Sequence, residues 1–154
     1  MPRPILFYDG VCGLCNRFVQ FVLRRDHNAV FRFAPLQSAL AASILARHGA
    51  NPNDLDTVYV ALHPDRKKKE DPTKEDPTQP NEFLLSRSNA VLFVLKQLPG
   101  WWRAIAILLG LLPKFLRDAA YNVVVRHRYR IFGRVDVCTL PREQDRSRFL
   151  DSQE

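Results

Sequence analysis

Two cysteines separated by two residues form the part of the sequence best suited to do chemistry. They are Cys12 and Cys15, and Asp9 stands three residues before the first of them. A cysteine thiolate attacks disulfides, and cysteines spaced by three on a helix bring their sulfurs to one face, at a separation that a disulfide accepts. The spacing therefore predicts thiol–disulfide exchange, in which Cys12 attacks and Cys15 resolves the mixed disulfide.

The residues around this pair predict the strand and the helix that position it. Ile5-Leu6-Phe7-Tyr8 has the apolar character of a buried strand, and Asp9-Gly10 is typical of a turn. Apolar residues then recur at intervals of three and four from Cys12 until Asp26, which predicts a helix that begins near Cys12. The unpaired N–H groups of the first helical turn would stabilise a thiolate at Cys12.

A zinc site is the competing interpretation of the same residues. Cys12, Cys15 and Cys138 provide three thiolates, and a histidine such as His127 would complete a tetrahedral set. Tightly bound, stoichiometric zinc would favour this alternative. A Cys-x-x-Cys pair between a strand and a helix is more typical of thioredoxin-like redox chemistry, so we expect no metal at the pair.

Composition limits the class of protein. The chain has 154 residues, 46% of them hydrophobic, and three cysteines. This length suits a single domain over 1–154, and the cysteines are too few for a secreted disulfide framework. Met1-Pro2-Arg3-Pro4 runs into the first strand without an apolar leader. We therefore expect a cytoplasmic protein with neither a secretory signal nor a transmembrane segment.

The first two thirds of the chain predict an α/β core over 1–98. Three further short apolar runs are expected to be strands: 30–35, 57–62 and 82–85. Ser38 and Ser88 are expected to cap helices that end near His48 and Leu98. Residues 65–81 contain Lys-Glu-Asp-Pro-Thr twice in succession, which predicts a disordered hairpin insertion between the last two strands.

The segment 99–134 predicts helices that pack on this core, and 135–154 is expected to be a tail. Trp101–Leu112 is apolar, but at about twelve residues it is shorter than the ~20 that span a bilayer. We expect it to be a buried core helix in preference to a membrane-surface segment. Apolar residues then continue at helical spacing toward the arginines of 126–134: Phe115, Leu116, Ala119, Ala120, Val123 and Val124.

Those arginines account for much of the net charge of +7 and have two interpretations. They complement a helix C-terminus and its carbonyls, or Arg128, Tyr129, Arg130 and Arg134 form an anion site for an acidic substrate. Both interpretations remain open. A non-enzymatic protein that binds nucleic acid or anionic lipid through this segment is a further alternative, although we do not expect nucleic acid to be the partner. Steeply salt-dependent binding that survives the loss of both cysteines would favour it.

The sequence resembles the DCC family of thiol-disulfide oxidoreductases at both ends. The family motif Asp-x-x-Cys-x-x-Cys is matched by Asp9, Cys12 and Cys15, and its Arg-Tyr-Arg-x-Phe-Gly-Arg segment by 128–134, after a helix that bears Tyr121. Two intermediate landmarks also fit: Pro35-Leu36-Gln37-Ser38 and Ser88-x-Ala90. The resemblance implies a thioredoxin-like fold and a redox-active dithiol. It implies a protein or small-molecule thiol or disulfide substrate, with a reductant or oxidant and without an organic cofactor.

Three expectations about the site follow from this resemblance and from the fold that it implies. Thioredoxin-like proteins place a cis-proline before the third strand, whereas Asp56-Thr57 stands here, and we expect an ordinary trans peptide. Asp9 is expected either to relay protons to Cys15 or to cap the turn, and the resemblance favours the relay. We also expect the C-terminal helices to fold back, so that an arginine of 128–134 lies near Cys12.

Overall fold

The structure is a computed structural model that describes residues 3–51, 57–62, 83–135 and 143–150. The predicted insertion at 65–81 lies outside the described residues. Asp56 and Cys138 lie outside them as well, so the expectations placed on these two residues stay predictions.

The core is a four-stranded mixed sheet. Its strands are β1 (Ile5–Tyr8), β2 (Arg32–Pro35), β3 (Tyr59–Leu62) and β4 (Phe83–Ser86). The strand order is β2-β1-β3-β4, in which β1 runs parallel to β2 and antiparallel to β3, and β4 pairs antiparallel with β3. The predicted α/β class, a thioredoxin-like sheet flanked by helices, is confirmed. β1 is central, so its C-terminal end delivers the following turn to the middle of one sheet edge.

Among the described residues, five α-helices and one short 3-10 helix accompany the sheet. They are α1 (Gly13–Arg25), α2 (Ala39–Arg47), α3 (Arg87–Gln97), α4 (Trp102–Gly110), α5 (Lys114–Phe132) and a 3-10 helix at Glu143–Arg148. The predicted cap at Ser38 is confirmed, since its hydroxyl accepts the N–H of Ala41 at 3.1 Å. The cap predicted at Ser88 is wrong, because β4 runs directly into α3 and the N-cap is Ser86. Ser88 lies within the first turn and donates to Asp118 at 2.5 Å.

Successive side chains of β1 point to opposite faces of the sheet, and each face has its own core cluster. Leu6 and Tyr8 pack with residues of α1 and α3, whereas Ile5 and Phe7 pack with residues of α2. All four side chains are buried. This explains why the strand is apolar throughout rather than alternating with polar residues.

The helix predicted at 101–112 exists, but the prediction that it is buried is wrong. Within α4, Ala106 is the residue that is fully buried, while Ile107 and Leu108 are 56% and 67% exposed. The helix contacts the core on one side, through Ala106 and through Trp102, whose ring meets Phe21 edge-on at 4.7 Å. Among the described residues, no helix has the length and hydropathy needed to cross a membrane.

Helix α5 crosses the sheet edge at which β1 ends. Its N-terminal half is fixed by Asp118, which accepts from Ser88, and by Tyr121, whose hydroxyl accepts the N–H of Val58 at 2.9 Å. Its C-terminal half reaches Asp9, at the end of β1, through Tyr129. The C-terminal helix therefore folds back over this edge.

Part of the segment expected to be a tail packs on the core. The ring of Phe149 stacks on Phe33 with centroids 5.2 Å apart, and Arg148 forms a buried ion pair with Asp26. The N–H of Leu150 also donates to the carbonyl of Phe33 at 2.8 Å. Residues 143–150 thus cover the β2 side of the sheet.

Candidate active site

Both cysteines of the pair lie where the sequence places them, at the start of α1. Cys12 is the N-cap, with φ −86° and ψ 122°, and its carbonyl accepts the N–H of Asn16 at 3.0 Å. Cys15 lies in the first turn and is in contact with Cys12. The two side chains are 0% and 4% exposed, so the pair is buried in this conformation.

The chain after α5 covers the pair. Gly133 ends α5 at φ +70° and lets the chain turn back along the start of α1. Gly13 then donates its N–H to the Gly133 carbonyl at 3.2 Å, and Val135 donates to the Val11 carbonyl at 2.9 Å. These bonds flank an antiparallel bridge between Cys12 and Arg134. We call 132–135 the covering segment, since it pairs with the main chain on both sides of Cys12.

The approach of this covering segment explains the glycine inside the Cys-x-x-Cys motif. A Cβ atom at Gly13 would lie 2.4 Å from the carbonyl oxygen of Phe132, well inside van der Waals contact. The obstacle is main chain, which cannot rotate away as the end of a side chain can. Any residue other than glycine at position 13 must push the covering segment outward.

Arg128 is the arginine that reaches the dithiol. Its side chain is 2% exposed, its Nη1 lies 3.9 Å from Cys15 Sγ, and its Nη2 lies 3.3 Å from Asp9 Oδ2. Nη2 also donates to the hydroxyl of Tyr129 at 2.8 Å. The guanidinium therefore joins a sulfur of the pair to the carboxylate at the end of β1.

Asp9 is fully buried and its carboxylate is held by several donors. Oδ1 accepts the N–H of Val11 at 3.1 Å and the side-chain amide of Gln37 at 2.9 Å, and Oδ2 accepts the hydroxyl of Tyr129 at 2.6 Å. The guanidinium of Arg128 lies beside the same carboxylate. These contacts together fix the position of the Asp9 side chain at the start of the turn that leads to the pair.

Burial also sets the protonation of the neighbouring groups. It raises the pKa of the Cys15 thiol from 9.0 to about 12; Cys12 adds to this rise, and a main-chain hydrogen bond from Asp9 and the charge of Arg128 oppose it. Burial, followed by the hydrogen bond to Asp9, raises the pKa of Tyr129 to about 12. At neutral pH, Cys15 is a thiol and Tyr129 donates its proton to Asp9.

The other arginines of the predicted cluster do not share the position of Arg128. Arg134 places its guanidinium 4.8 Å from the centre of the Tyr129 ring, on the exposed side of the site. Arg130 is exposed on α5. The arginine-rich sequence therefore separates into one buried cation beside the dithiol and others that face solvent.

Comparison with known families decides what kind of protein carries this site. A family model described as DCC1-like thiol-disulfide oxidoreductase matches residues 6–134. The chain belongs to this family. The match extends from the first strand to the covering segment, so it includes the motif at Asp9 and the arginine that reaches it. Membership supports a thiol–disulfide function for the pair.

Two curated relatives of this DCC1-like protein align over most of its length. The uncharacterized protein YuxK of Bacillus subtilis is 31% identical over 150 residues, which cover 97% of this chain and 96% of the relative. A DCC family protein of Arabidopsis thaliana, described as chloroplastic, is 36% identical over 138 residues, or 90% of this chain and 70% of the relative. No solved structure matches the chain significantly.

Two residues of the DCC1-like site were not assigned a role from the sequence. Gln37 bonds to two neighbouring residues of the turn: its side-chain amide donates to Asp9, and its side-chain oxygen accepts the N–H of Gly10 at 3.2 Å. Tyr121 anchors α5 on Val58, and burial raises its pKa to about 12. Both residues stand among the sequence features on which the family resemblance rests. That resemblance was the available indication that they contribute to the site.

The described residues provide no set of side chains that would support the zinc alternative. No group of three or more His, Cys, Asp and Glu side chains there could hold a metal ion. The ring of His127 lies on the exposed side of α5, with Nδ1 2.8 Å from the carbonyl of Val123 in the preceding turn. Cys138 is outside the described residues.

We predict that Gly13→Ala loosens the covering segment and speeds alkylation of Cys12 by at least about tenfold, because the Phe132 carbonyl must move. Gly110→Ala is the matched control, since nothing lies within 4 Å of a Cβ at that helical glycine. The measurement is the rate of iodoacetamide labelling, followed by mass spectrometry. Equal labelling rates of Cys12 in Gly13→Ala and Gly110→Ala would contradict the close packing of the covering segment on Gly13.

We predict that the reduced protein loses stability as pH rises from about 9 toward 12. In that range the folded state keeps the Cys15 proton that the unfolded state releases, so the free energy of unfolding falls by up to about 1.4 kcal/mol per pH unit. Cys15→Ala should remove this component between about pH 9 and 10, below the range in which unfolded tyrosines titrate. The measurement is urea unfolding with reductant at each pH. If the free energy of unfolding falls equally with pH in the parent and in Cys15→Ala, Cys15 is not the cause of the fall.

Proposed function

We propose that this protein is a thiol-disulfide oxidoreductase in which Cys12 is the nucleophile and Cys15 is the resolving thiol. The observation that carries the proposal is the position of the pair. It begins α1 at the end of the central strand, with Arg128 3.9 Å from Cys15 Sγ. A cation and a helix N-terminus both favour sulfur in its thiolate form. A reducing compartment such as the cytoplasm would suit the dithiol state.

The reaction balances without an organic cofactor. The Cys12 thiolate attacks a substrate disulfide, the substrate S–S bond breaks, and the first substrate thiolate leaves and takes up a proton. Cys15 then loses its proton and attacks Cys12 in the mixed disulfide, which releases the second substrate thiol. Two electrons pass from the dithiol to the substrate, and a separate thiol reductant restores the pair. The same steps run in reverse when the protein acts as an oxidant.

The second step requires a thiolate at Cys15, whose pKa is raised to about 12 by burial in the closed conformation. Opening the covering segment would hydrate the sulfur and remove part of that rise. The charge of Arg128 favours the Cys15 thiolate, because it lowers the pKa that burial raises. In this proposal Arg128 is a positioning residue that acts on Cys15 and stays in place when the covering segment moves.

Asp9 takes the role of charge partner for Arg128 in this proposal. Both carboxylate oxygens already accept hydrogen bonds from fixed donors, among them Tyr129, which remains protonated. These donors and the guanidinium of Arg128 hold the carboxylate in one position, away from free movement toward Cys15. Asp9 therefore keeps the guanidinium beside Cys15, and this supports a positioning role over the proton relay favoured by the sequence.

A substrate would reach Cys12 by replacing the covering segment. That segment pairs with the main chain at Val11 and Gly13 as a strand would, so an extended peptide can form the same two hydrogen bonds. A groove of about 600 Å³ approaches this position along α1, and its lining includes Asn16, Arg17 and Gln20. Arg17 is exposed there and suits a substrate with an acidic group near its disulfide.

The proposal predicts that Cys15→Ser traps a mixed disulfide at Cys12. In a Cys138→Ser background, the unmodified pair should release two equivalents of thionitrobenzoate from Ellman's reagent, one for each step. Cys15→Ser should release one equivalent and keep the adduct, located at Cys12 by peptide mass spectrometry. Cys12→Ser is the matched control and should form the adduct slowly or not at all. A stable adduct at Cys15 in that control, formed as fast as in Cys15→Ser, would reverse the assignment.

We predict that Arg128→Met slows the second release in the same assay by at least about tenfold, since Cys15 loses the cation that favours its thiolate. Arg130→Met is the matched control, two residues away on the same helix and exposed. Arg128→Lys keeps the charge and should recover part of the rate. A first release slowed as strongly as the second, or equal effects of Arg128→Met and Arg130→Met, would assign Arg128 a structural role.

A further inference from the structure

Helices α4 and α5 and the turn between them expose many large apolar side chains. Trp101 is 67% exposed, and at the turn Leu111 and Phe115 are 78% and 75% exposed. Eight more large apolar residues of this region are also exposed: Ile107, Leu108, Leu109, Leu112, Leu116, Val123, Val124 and Ile131. We call these eleven residues the apolar surface. Single exposed apolar residues are ordinary in soluble proteins, but a set of this size concentrated on two successive helices indicates an interaction site.

The arrangement of α5 shows why this surface faces outward. The side of α5 that meets the domain carries polar groups with specific partners: Asp118, Tyr121, Arg128 and Tyr129. The opposite side follows helical spacing through Leu116, Ala120, Val123 and Ile131, all of them exposed. The polarity of the helix is thus the reverse of an ordinary surface helix, which buries its apolar side.

Charge limits what can cover the apolar surface. Residues 101–134 hold seven Lys and Arg residues and a single acidic residue, Asp118. Asp118 accepts a hydrogen bond from Ser88 on the inner side, so it does not offset the outward cations. Arg103 is exposed at the start of α4, Lys114 is exposed beside the turn, and Arg126 and Arg130 are exposed along α5.

These charges distinguish between two occupants of the apolar surface. Pairing with a second copy of the chain would bring like charges together around the buried apolar residues. A bilayer that contains anionic lipids would accept the apolar side chains and attract the cations at the same time. The observed combination of exposed aromatic and aliphatic residues with flanking cations therefore favours a lipid surface.

We propose that the apolar surface docks this protein on membranes that contain anionic lipids. The turn at 111–113 and the adjoining Phe115 enter the boundary between headgroups and acyl chains, and Trp101 lies at the same level. The helices lie on the bilayer and do not cross it. Because α5 leads directly into the covering segment, docking places the dithiol edge of the sheet near the membrane. If the dithiol acts as proposed above, its substrates are then thiols and disulfides near the lipid surface.

The test is sedimentation with lipid vesicles. The full-length protein should bind vesicles of phosphatidylcholine mixed with phosphatidylglycerol, and should leave vesicles of phosphatidylcholine alone in suspension. Leu111→Glu combined with Phe115→Glu should weaken binding by at least about tenfold, because two inserted apolar residues are lost. Phe83→Glu is the matched control, since Phe83 is 63% exposed on β4 and lies outside the apolar surface.

A second pair of variants tests the electrostatic part. Arg103→Gln combined with Lys114→Gln should weaken binding and reduce its dependence on salt, whereas Arg32→Gln, an exposed arginine of β2, should not. Tryptophan emission should shift to shorter wavelength when vesicles are added, and Trp101→Phe should remove most of that shift. Thermal unfolding of each variant within a few degrees of the parent shows that the fold is kept.

Three results would overturn the proposal. The first is failure of the parent protein to bind the mixed vesicles at low salt. The second is equal binding by the Leu111/Phe115 variant and the Phe83 control. The third is a concentration-dependent dimer in sedimentation velocity that the Leu111/Phe115 variant abolishes, without vesicle binding by the parent, which would assign the apolar surface to a second copy of the chain.

Discussion

The buried ion pair between Arg128 and Asp9, 3.3 Å apart and almost fully excluded from solvent, is the interaction on which the candidate site depends. Breaking such a pair typically costs about 3–5 kcal/mol, because one charge is left buried without a partner. The pair joins the end of the central strand to α5, and α5 leads directly into the segment that covers Cys12. Both the burial of the dithiol and the cation beside Cys15 therefore depend on the same contact.

The site is held together by two kinds of contact of different strength. Arg128 and Tyr129 hold Asp9 through buried, charge-assisted contacts, whereas the covering segment pairs beside Cys12 through main-chain hydrogen bonds at Gly13 and Val11. Neutral hydrogen bonds of this kind contribute about 0.5–1.5 kcal/mol each, less than charged ones. In the reaction we propose, the segment would open while the ion pair persists, which would expose the sulfurs without removing the charge of Arg128 beside Cys15.

Local patterns in the sequence predicted the parts of the fold that depend on local interactions. The first strand, the turn at Asp9 and the helix that begins at Cys12 are contiguous, and their geometry follows from periodicity and turn residues. The contact between Asp9 and Arg128 joins residues more than a hundred positions apart, and which arginine of 128–134 faces inward depends on the rotation of α5 against the sheet. Periodicity does not determine that rotation. The same limit explains why the prediction that α4 is buried was wrong. Apolar spacing identifies a helix but does not show which of its sides is covered.

The reversed polarity of α5 has a physical origin in the position of this helix. Because α5 lies over the sheet edge that carries the dithiol, groups on its inner side are polar: Tyr121 has Val58 as its partner, and Arg128 has Cys15. Apolar residues on such a helix can then lie only on its outer side, where they add nothing to the core. Val123 and Ile131, 59% and 69% exposed, fit this position. Folding stability does not account for these residues, since replacing them with polar side chains would leave the core intact. Their presence beside a dithiol whose protein family acts on thiols and disulfides points to a second surface, which places the chemistry rather than performing it.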